Sequence, residues 1–240
     1  KRDSVAATYF ERVTSLDEKN AEAWSFLGSN YFERGEYQKL LKSMEQAQKL
    51  FPSDSRFFLL SGLAYSRLGQ PDPAIQMLEQ SYRINPKDLN TLGQLALTYD
   101  GLRRWKECDS LYEEALRVDS TSAAAAIILN NYGYSLAERG LQLDRALRMA
   151  TKAVELEPDN ASYLDTLGWI YFKFEKYDEA ERYIAKAVAT GSASAVVNEH
   201  LGDVYFRLGS KDKAMKLWQH ALEMDKSNQA LKQKIERGSL

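Results

Sequence analysis

A histidine and an aspartate lie close together near the end of the chain. His200 and Asp203 are three residues apart, a spacing that places both side chains on one face of an α-helix. An imidazole and a carboxylate can bind a metal ion or exchange a proton, but two ligands do not define a metal site. We therefore interpret them as a hydrogen-bonded pair on a solvated surface, and we expect neither a metal nor a cofactor.

The other potentially reactive residues predict packing or turns rather than catalysis. Cys108 stands where Ala74 and Ala146 stand one repeat period away, so we expect it to be a small core residue. His220 is interpreted as a surface or packing residue. Residues 160–162 match a glycosylation acceptor, but asparagine is also common in turns. Because no glycine-rich phosphate loop follows a strand-like segment either, the sequence predicts a protein that is not an enzyme.

Small residues recur along the chain at intervals of 34, 34, 37, 35 and 34 residues. Their positions are Gly28, Gly62, Ala96, Gly133, Gly168 and Gly202. A ring or a large apolar side chain follows three residues later in each case, as Tyr31, Tyr65, Tyr99, Leu136, Tyr171 and Tyr205. A fixed period of this size is typical of stacked copies of one supersecondary unit, not of a fold around one central core.

Each period is predicted to be a helical hairpin. In the first period, residues 24–31 and 40–47 carry apolar side chains at helical spacing. Gly35 lies between the two stretches and suits the left-handed residue past a helix end. Pro52 prevents the second helix from continuing. The small residues Gly28 and Ala47 allow the two helices to approach each other closely.

This pattern resembles the tetratricopeptide repeat. The resemblance rests in the first period on Trp24, Leu27, Gly28, Tyr31, Ala47 and Pro52, and in the fifth on Leu164, Leu167, Gly168, Tyr171, Ala180 and Ala187. It implies an all-α superhelix, a right-handed solenoid that forms a single domain over residues 1–240. We place a half-repeat at 1–20, repeats at 21–54, 55–88, 89–122, 126–160, 161–194 and 195–228, and a capping helix at 229–240. Since residues 3–16 match only second-helix positions, we expect a further repeat to precede them.

The interval of 37 residues has a local cause. Three extra residues lie within 122–126, in an alanine-rich stretch, and one more lies in the turn at 140–144. Because alanine is the best helix former, we expect a first helix that is longer by about one turn. The insertion is interpreted as tolerated, with a functional kink as the alternative.

The resemblance implies a non-enzymatic scaffold that binds a protein or peptide in a concave groove lined by the first helices. The candidate contacts in the last three repeats are Asn130, Tyr134, Asp165, Trp169, Phe172, Glu199, Asp203 and Phe206, followed by Arg207. The corresponding positions in the first three repeats are Ser25, Ser29, Phe32, Arg56, Leu59, Leu63, Arg67, Asn90, Leu97 and Asp100. Aromatic rings beside carboxylates suit a partner with apolar and basic residues. The alternative is that the rings of Trp169, Phe172 and Phe206 pack between hairpins and meet no ligand.

Two other functions remain open. The chain can be a self-associating spacer that dimerises through its terminal helices, since Val5, Tyr9, Phe10 and Val13 form an apolar face on the first helix. Alternatively, it is the recognition arm of a larger multidomain protein or enzyme.

Composition and net charge limit the classes of partner and the compartments that this chain suits. The formal net charge is -2, so the chain as a whole does not attract nucleic acid or an anionic membrane. No apolar stretch approaches the ~20 residues that span a bilayer. The single cysteine excludes an internal disulfide framework. The last two repeats are similar to those of bacterial multi-repeat proteins, which favours the periplasm or cell envelope, with the cytoplasm as the alternative.

Overall fold

The secondary structure is helical throughout the part of the chain that the structure describes. The computed structural model describes the backbone of residues 2–240 and the side chains of residues 6–240, so the side chain of Val5 lies outside the described residues. The helices are α1 (Arg2–Leu16), α2 (Ala21–Glu33), α3 (Tyr37–Leu50), α4 (Ser55–Arg67), α5 (Pro71–Ile84), α6 (Leu89–Gly101), α7 (Trp105–Val118), α8 (Ala123–Glu138), α9 (Leu143–Leu156), α10 (Ala161–Lys173), α11 (Tyr177–Ala189), α12 (Ala195–Arg207), α13 (Lys211–Met224) and α14 (Gln229–Arg237). The predicted all-α fold is confirmed.

The helices form two compact units, which adjoin in sequence at residues 119 and 120. The N-terminal unit contains α1–α7, with hairpins formed by α2 and α3, α4 and α5, and α6 and α7. The C-terminal unit contains α8–α14, with hairpins formed by α8 and α9, α10 and α11, and α12 and α13. Within each unit the first helices of neighbouring hairpins also touch. That both units form one solenoid domain stays a prediction.

The ends of the helices follow from local sequence signals. Every first helix begins after an asparagine, aspartate or serine whose side chain accepts a backbone N–H, as Asp88 does from Thr91. The turn inside a hairpin holds at least one residue in the left-handed region, usually glycine, as at Gly35 and Gly209. Arg103 and Glu175 take this conformation where the sequence has no glycine.

The two helices of a hairpin approach closely at the small residues. A Cβ atom at Gly202 would lie 2.5 Å from Cδ1 of Trp218, and one at Gly168 would lie 2.5 Å from Cγ1 of Ile184. Distances this short leave no room for a side chain. The expected role of the recurring small residues is thereby confirmed at these two positions.

The predicted extra turn is present in α8. This helix has 16 residues, whereas the other first helices from α2 to α12 have 13. The hydroxyl of Ser122 accepts a hydrogen bond from the backbone N–H of Ala125 and so caps the longer helix. The turn that follows holds a second left-handed residue, Gln142, in addition to Gly140.

The apolar core lies between neighbouring helices within each unit. In the N-terminal unit, Trp24, Met44 and Phe57 belong to one buried cluster. Cys108 is fully buried, as predicted. In the C-terminal unit one cluster contains the buried residues Leu164, Ala180, Ile184, Ala187, Val197, Leu201 and Val204. A second contains Ala214, Trp218, Ala221 and Leu231, which ties α14 to α13.

Candidate functional site

The candidate residues of the C-terminal unit lie on its first helices, α8, α10 and α12, with α14 beside α12. We call the surface that they form the first-helix face. It comprises Ile127, Asn130, Tyr134 and Glu138 on α8, Asp165, Trp169, Phe172 and Lys173 on α10, Val196, Glu199, His200, Asp203 and Phe206 on α12, and Lys234 on α14.

His200 lies at the centre of this face. Its Nδ1 is 3.0 Å from both carboxylate oxygens of Asp165, and its ring stacks on Trp169 with the ring centroids 3.8 Å apart. The Tyr134 ring centroid is 6.5 Å away. His200 and Asp165 are each only 6% exposed. The predicted solvated pair of His200 with Asp203 is therefore wrong, because the partner of His200 belongs to the preceding repeat.

Trp169 links α10 to α8. Its Nε1 donates a hydrogen bond to Oε1 of Glu138 at 2.7 Å, and Nζ of Lys173 lies 3.0 Å from the same carboxylate. The ring also stacks on Phe172, with centroids 4.6 Å apart, and is 8% exposed. Burial works against ionisation of Glu138, but the hydrogen bonds from Trp169 and Lys173 prevail, so the pKa of its carboxyl is lowered.

Lys234 joins α14 to α12. Its Nζ lies 2.7 Å from Oε1 of Glu199 and 2.8 Å from Oδ1 of Asp203. The indole N–H of Trp218 donates to the same oxygen of Asp203 at 2.8 Å. Burial raises the pKa of Asp203, and Lys234 and Trp218 offset only part of this effect. Asn228 donates a further hydrogen bond to Glu199.

Asn130 is buried and only partly satisfied. Its Nδ2 donates to Oδ1 of Asn131 at 3.2 Å, whereas its own Oδ1 has no hydrogen-bond partner among the described residues. A buried carbonyl without a partner costs about 1–3 kcal/mol. The amide oxygen of Asn130 is thus a free acceptor within the C-terminal unit.

The two phenylalanines are half-buried and lie in different surroundings. Phe172 packs between Trp169 and Tyr177, with ring centroids 4.6 and 5.4 Å away. Phe206 packs against Trp218 at 5.7 Å and belongs to the cluster that holds α14. One part of each ring is thus packed against other side chains of the unit, and the rest is accessible. Phe206 is separate from the stack of His200, Trp169 and Phe172.

Several residues of the face were not among the predicted contacts. Ile127 is 50% exposed and Val196 is 48% exposed, each one residue past the start of its repeat. Arg56 and Asn90 hold the same repeat position and were predicted as contacts, so the register itself identifies both residues. Glu138, Lys173, His200 and Lys234 were also missed.

The face carries more negative than positive charge. Its four carboxylates are Glu138, Asp165, Glu199 and Asp203, and its two lysines are Lys173 and Lys234. Arg207 lies one turn further along α12 and is exposed, so solvent screens its charge. Among the described residues, no three His, Cys, Asp or Glu side chains are arranged to hold a metal ion. No helix within 2–240 is both long and apolar enough to cross a membrane.

Comparison with known families gives matches over much of the chain. Models of the tetratricopeptide repeat match residues 55–88, 140–195 and 166–229, which together cover just over half of the sequence. A TPR repeat-containing protein of Pseudomonas aeruginosa is 32% identical over 130 residues, which is 54% of this chain and 21% of that protein. A TPR repeat-containing protein of Methanocaldococcus jannaschii is 26% identical over 122 residues, which is 48% of this chain and 21% of that protein. The chain thus spans about a fifth of the length of these relatives.

Solved structures share the fold. A tetratricopeptide repeat protein from Parabacteroides merdae matches with a TM-score of 0.73 and 17% identity, over 97% of this chain and 90% of that one. The APC/C hetero-tetramer Cut9–Hcn1 matches with a TM-score of 0.86 and 14% identity, over 98% of this chain and 46% of that one. At such identities the likeness concerns the fold alone.

Proposed function

The chain belongs to the tetratricopeptide repeat family, whose members generally bind proteins or peptides as non-enzymatic scaffolds, and we propose that the first-helix face of its C-terminal unit binds such a segment. The segment carries apolar side chains and at least one lysine or arginine. Its backbone lies across α8, α10 and α12.

The observation that carries this proposal is the uncompensated charge beside apolar surface. Each carboxylate of the face has an internal partner, yet Lys234 is shared by Glu199 and Asp203, and Lys173 serves only Glu138. With neutral His200, the four carboxylates exceed the two lysines by two charges. A cationic side chain that binds here gains from this field, because partial burial weakens solvent screening.

The candidate residues fall into two roles in this proposal. Tyr134, Phe172, Glu199 and Phe206 are partly accessible and contact the segment directly. The buried residues Asn130, Asp165, Trp169 and Asp203 form the floor: Trp169 shapes it, the two aspartates supply charge, and Asn130 supplies the free acceptor. Ile127 and Val196 provide the exposed apolar surface that the segment covers.

The test compares two exposed apolar residues of the same unit. Ile127 lies on the first-helix face, whereas Leu141 is 48% exposed in the turn after α8. We expect Ile127→Ser to weaken binding of peptides that alternate leucine with lysine by about tenfold, about 1.4 kcal/mol, because a buried aliphatic contact is lost. Leu141→Ser should leave the affinity unchanged.

Affinity is measured by isothermal titration calorimetry with each purified variant. Since both residues are half exposed, neither change should alter the melting temperature. Equal affinities for the two variants, or no binding of any such peptide to the unaltered protein, would contradict the proposal.

A second candidate function, self-association, rests on a different observation. In the N-terminal unit, the ring of Phe10 packs against Tyr9 at 5.5 Å and stacks on Phe26 at 5.4 Å. Tyr9 is 63% exposed and Phe26 is 55% exposed. Adjacent exposed rings of this kind favour a contact with another apolar surface, and a second copy of the chain offers the same rings.

A further inference from the structure

We infer that His200 becomes an internal cation when it is protonated and then competes with a basic ligand, so that the first-helix face binds a basic segment more weakly. This inference rests on the proposed function and names a residue that regulates the same site. It assigns to the buried pair of His200 and Asp165 a role in specificity in addition to its packing.

The geometry leaves Asp165 dependent on the imidazole. Both carboxylate oxygens of Asp165 face Nδ1 of His200 at 3.0 Å. A neutral imidazole donates one N–H to this carboxylate and leaves its negative charge in place, whereas an imidazolium neutralises it. Because Nδ1 faces Asp165, Nε2 is the ring nitrogen that takes or releases the proton.

The other charged side chains around His200 already form ion pairs with one another. From α8, Glu138 faces the site together with the ring of Tyr134, and from α10 Lys173 pairs with Glu138 at 3.0 Å. On α12 itself, Glu199 and Asp203 both pair with Lys234 of α14. Asp165 is therefore the carboxylate of this face that has no lysine partner among the described residues.

Competition follows from this arrangement. At a pH where histidine is neutral, the field of Asp165 is available to a ligand lysine or arginine. Protonation of His200 cancels this field, because the one positive charge that it adds is set against the carboxylate of Asp165. Histidine is the side chain whose ordinary pKa, about 6.5, lies within the physiological range. By linkage, a cationic ligand must in turn displace the proton from His200.

The chain offers a matched control because it has only two histidines. His220 lies on the second helix α13, and its side chain is 59% exposed. The probe is a synthetic peptide in which leucine alternates with lysine, titrated at about pH 8 and about pH 5.5, on either side of the ordinary histidine pKa. We expect the unaltered protein and His220→Gln to bind it at least about fivefold more weakly at the lower pH, the lower end of typical coupling between sites.

His200→Gln should lose most of this pH dependence. Glutamine retains a donor for Asp165 but cannot become charged. Asp203, whose pKa burial raises, adds an acid dependence of its own that this variant keeps. The decisive quantity is therefore the difference between His200→Gln and His220→Gln in the ratio of affinities at the two pH values.

A second measurement needs no substitution, and it decides the matter if His200→Gln fails to fold. In the unaltered protein, the two histidine ring signals are followed by NMR as a function of pH, with and without the peptide. We expect the peptide to move the titration of His200 to lower pH by about 0.7 pH units or more, the shift that matches fivefold coupling. The titration of His220 should not move.

The outcomes separate this inference from the proposed function. If the peptide binds but both histidine variants show the same pH dependence, or if the His200 signal does not shift, the inference is overturned and the proposed function stands. Tighter binding at the lower pH also overturns it. If no basic peptide binds at either pH, the proposed function fails and the inference fails with it.

Discussion

Single side chains of the first-helix face are held by partners about one repeat away in sequence. His200 pairs with Asp165, 35 residues earlier, and Trp169 donates to Glu138, 31 residues earlier. Lys234 reaches Glu199 across 35 residues in the same way. In these stacked hairpins, the polar partner of a first-helix side chain therefore lies about one period away in sequence. It does not lie three or four residues away on the same helix.

The close approach at Gly202 gives a prediction at the scale of one residue. A methyl group there would meet the ring of Trp218, which is 1% exposed and fixed by its hydrogen bond to Asp203. We expect Gly202→Ala to lower the free energy of unfolding by about 1–3 kcal/mol, because the packed ring cannot yield without strain. Chemical denaturation monitored by circular dichroism measures this change.

Gly101 provides the control. It ends α6, has no neighbouring atom within 4 Å of an added Cβ, and does not have a positive φ. Gly101→Ala should be neutral or slightly stabilising, since alanine favours the helix. If both variants are equally stable, the tight contact at Gly202 has no energetic importance.

Sequence reasoning succeeded for residues whose environment repeats. Cys108 was assigned to the core because residues one period away are small and apolar, and the structure buries it. It failed for His200, where only the local spacing to Asp203 was considered. The carboxylate of Asp165 lies one period before His200, so a search for complementary side chains at that distance would have identified the pair.

The terminal helix α14 gives a prediction at the scale of an element. Lys234 supplies its two ionic contacts with α12, and Leu231 is its buried apolar residue. Replacing Lys234 with methionine leaves the carboxylate of Asp203 buried, with the indole N–H of Trp218 as its remaining hydrogen-bond donor among the described side chains. We expect Lys234→Met to cost about 2–4 kcal/mol, slightly less than the about 3–5 kcal/mol lost when one partner of a fully buried ion pair is removed, because the Lys234 side chain is still 16% exposed.

Hydrogen exchange of the α14 backbone amides locates this effect. The Lys232→Met variant, two residues earlier on the same helix, should exchange as the unaltered protein does. Adding Asp203→Asn to Lys234→Met should restore part of the lost stability, because the buried charge is then removed. Unchanged protection of α14 in Lys234→Met would show that the ion pairs do not hold this helix.

The elements themselves were largely predictable. The alanines of residues 123–126 indicated a longer first helix, and α8 has the additional turn. The glycines between the helices of a hairpin indicated left-handed residues, which the structure confirms. The left-handed residues Arg103 and Glu175 had no such signal, because neither side chain favours this conformation.

Self-association is tested at the scale of the whole molecule. If the exposed rings of Tyr9 and Phe26 and the half-buried ring of Phe10 that contacts both pair between copies, the mass measured by light scattering should rise above the 27.3 kDa of one chain as the concentration increases. Phe26→Ser should then prevent the rise, because it removes an exposed ring that stacks on Phe10. Val118→Ser, at a residue 40% exposed on α7, serves as the control. A mass of one chain at every concentration eliminates this candidate.

At the same scale, the family and its hairpins were recognisable because six copies of one pattern reinforce each other. The candidate site was harder to predict, since the exposed positions of the first helices are where the copies differ. Trp169 was predicted to contact a partner, with packing between hairpins as the alternative, and its register cannot show that His200 of the next repeat covers its ring. The side chain that covers a given residue belongs to a neighbouring repeat whose sequence differs at that position. The pattern that identifies the fold therefore gives little information on the candidate site.

The contacts of His200 also bear on how this chain can change by gain or loss of repeats. Excision of residues 161–194 would place Asn130 where Asp165 now meets the imidazole, and Tyr134 where Trp169 now stacks. The imidazole would lose its carboxylate, and Glu138 would lose the indole that donates to it. The repeats share a backbone fold but cannot replace one another. A chain that lost this repeat would need new substitutions on both sides of the junction.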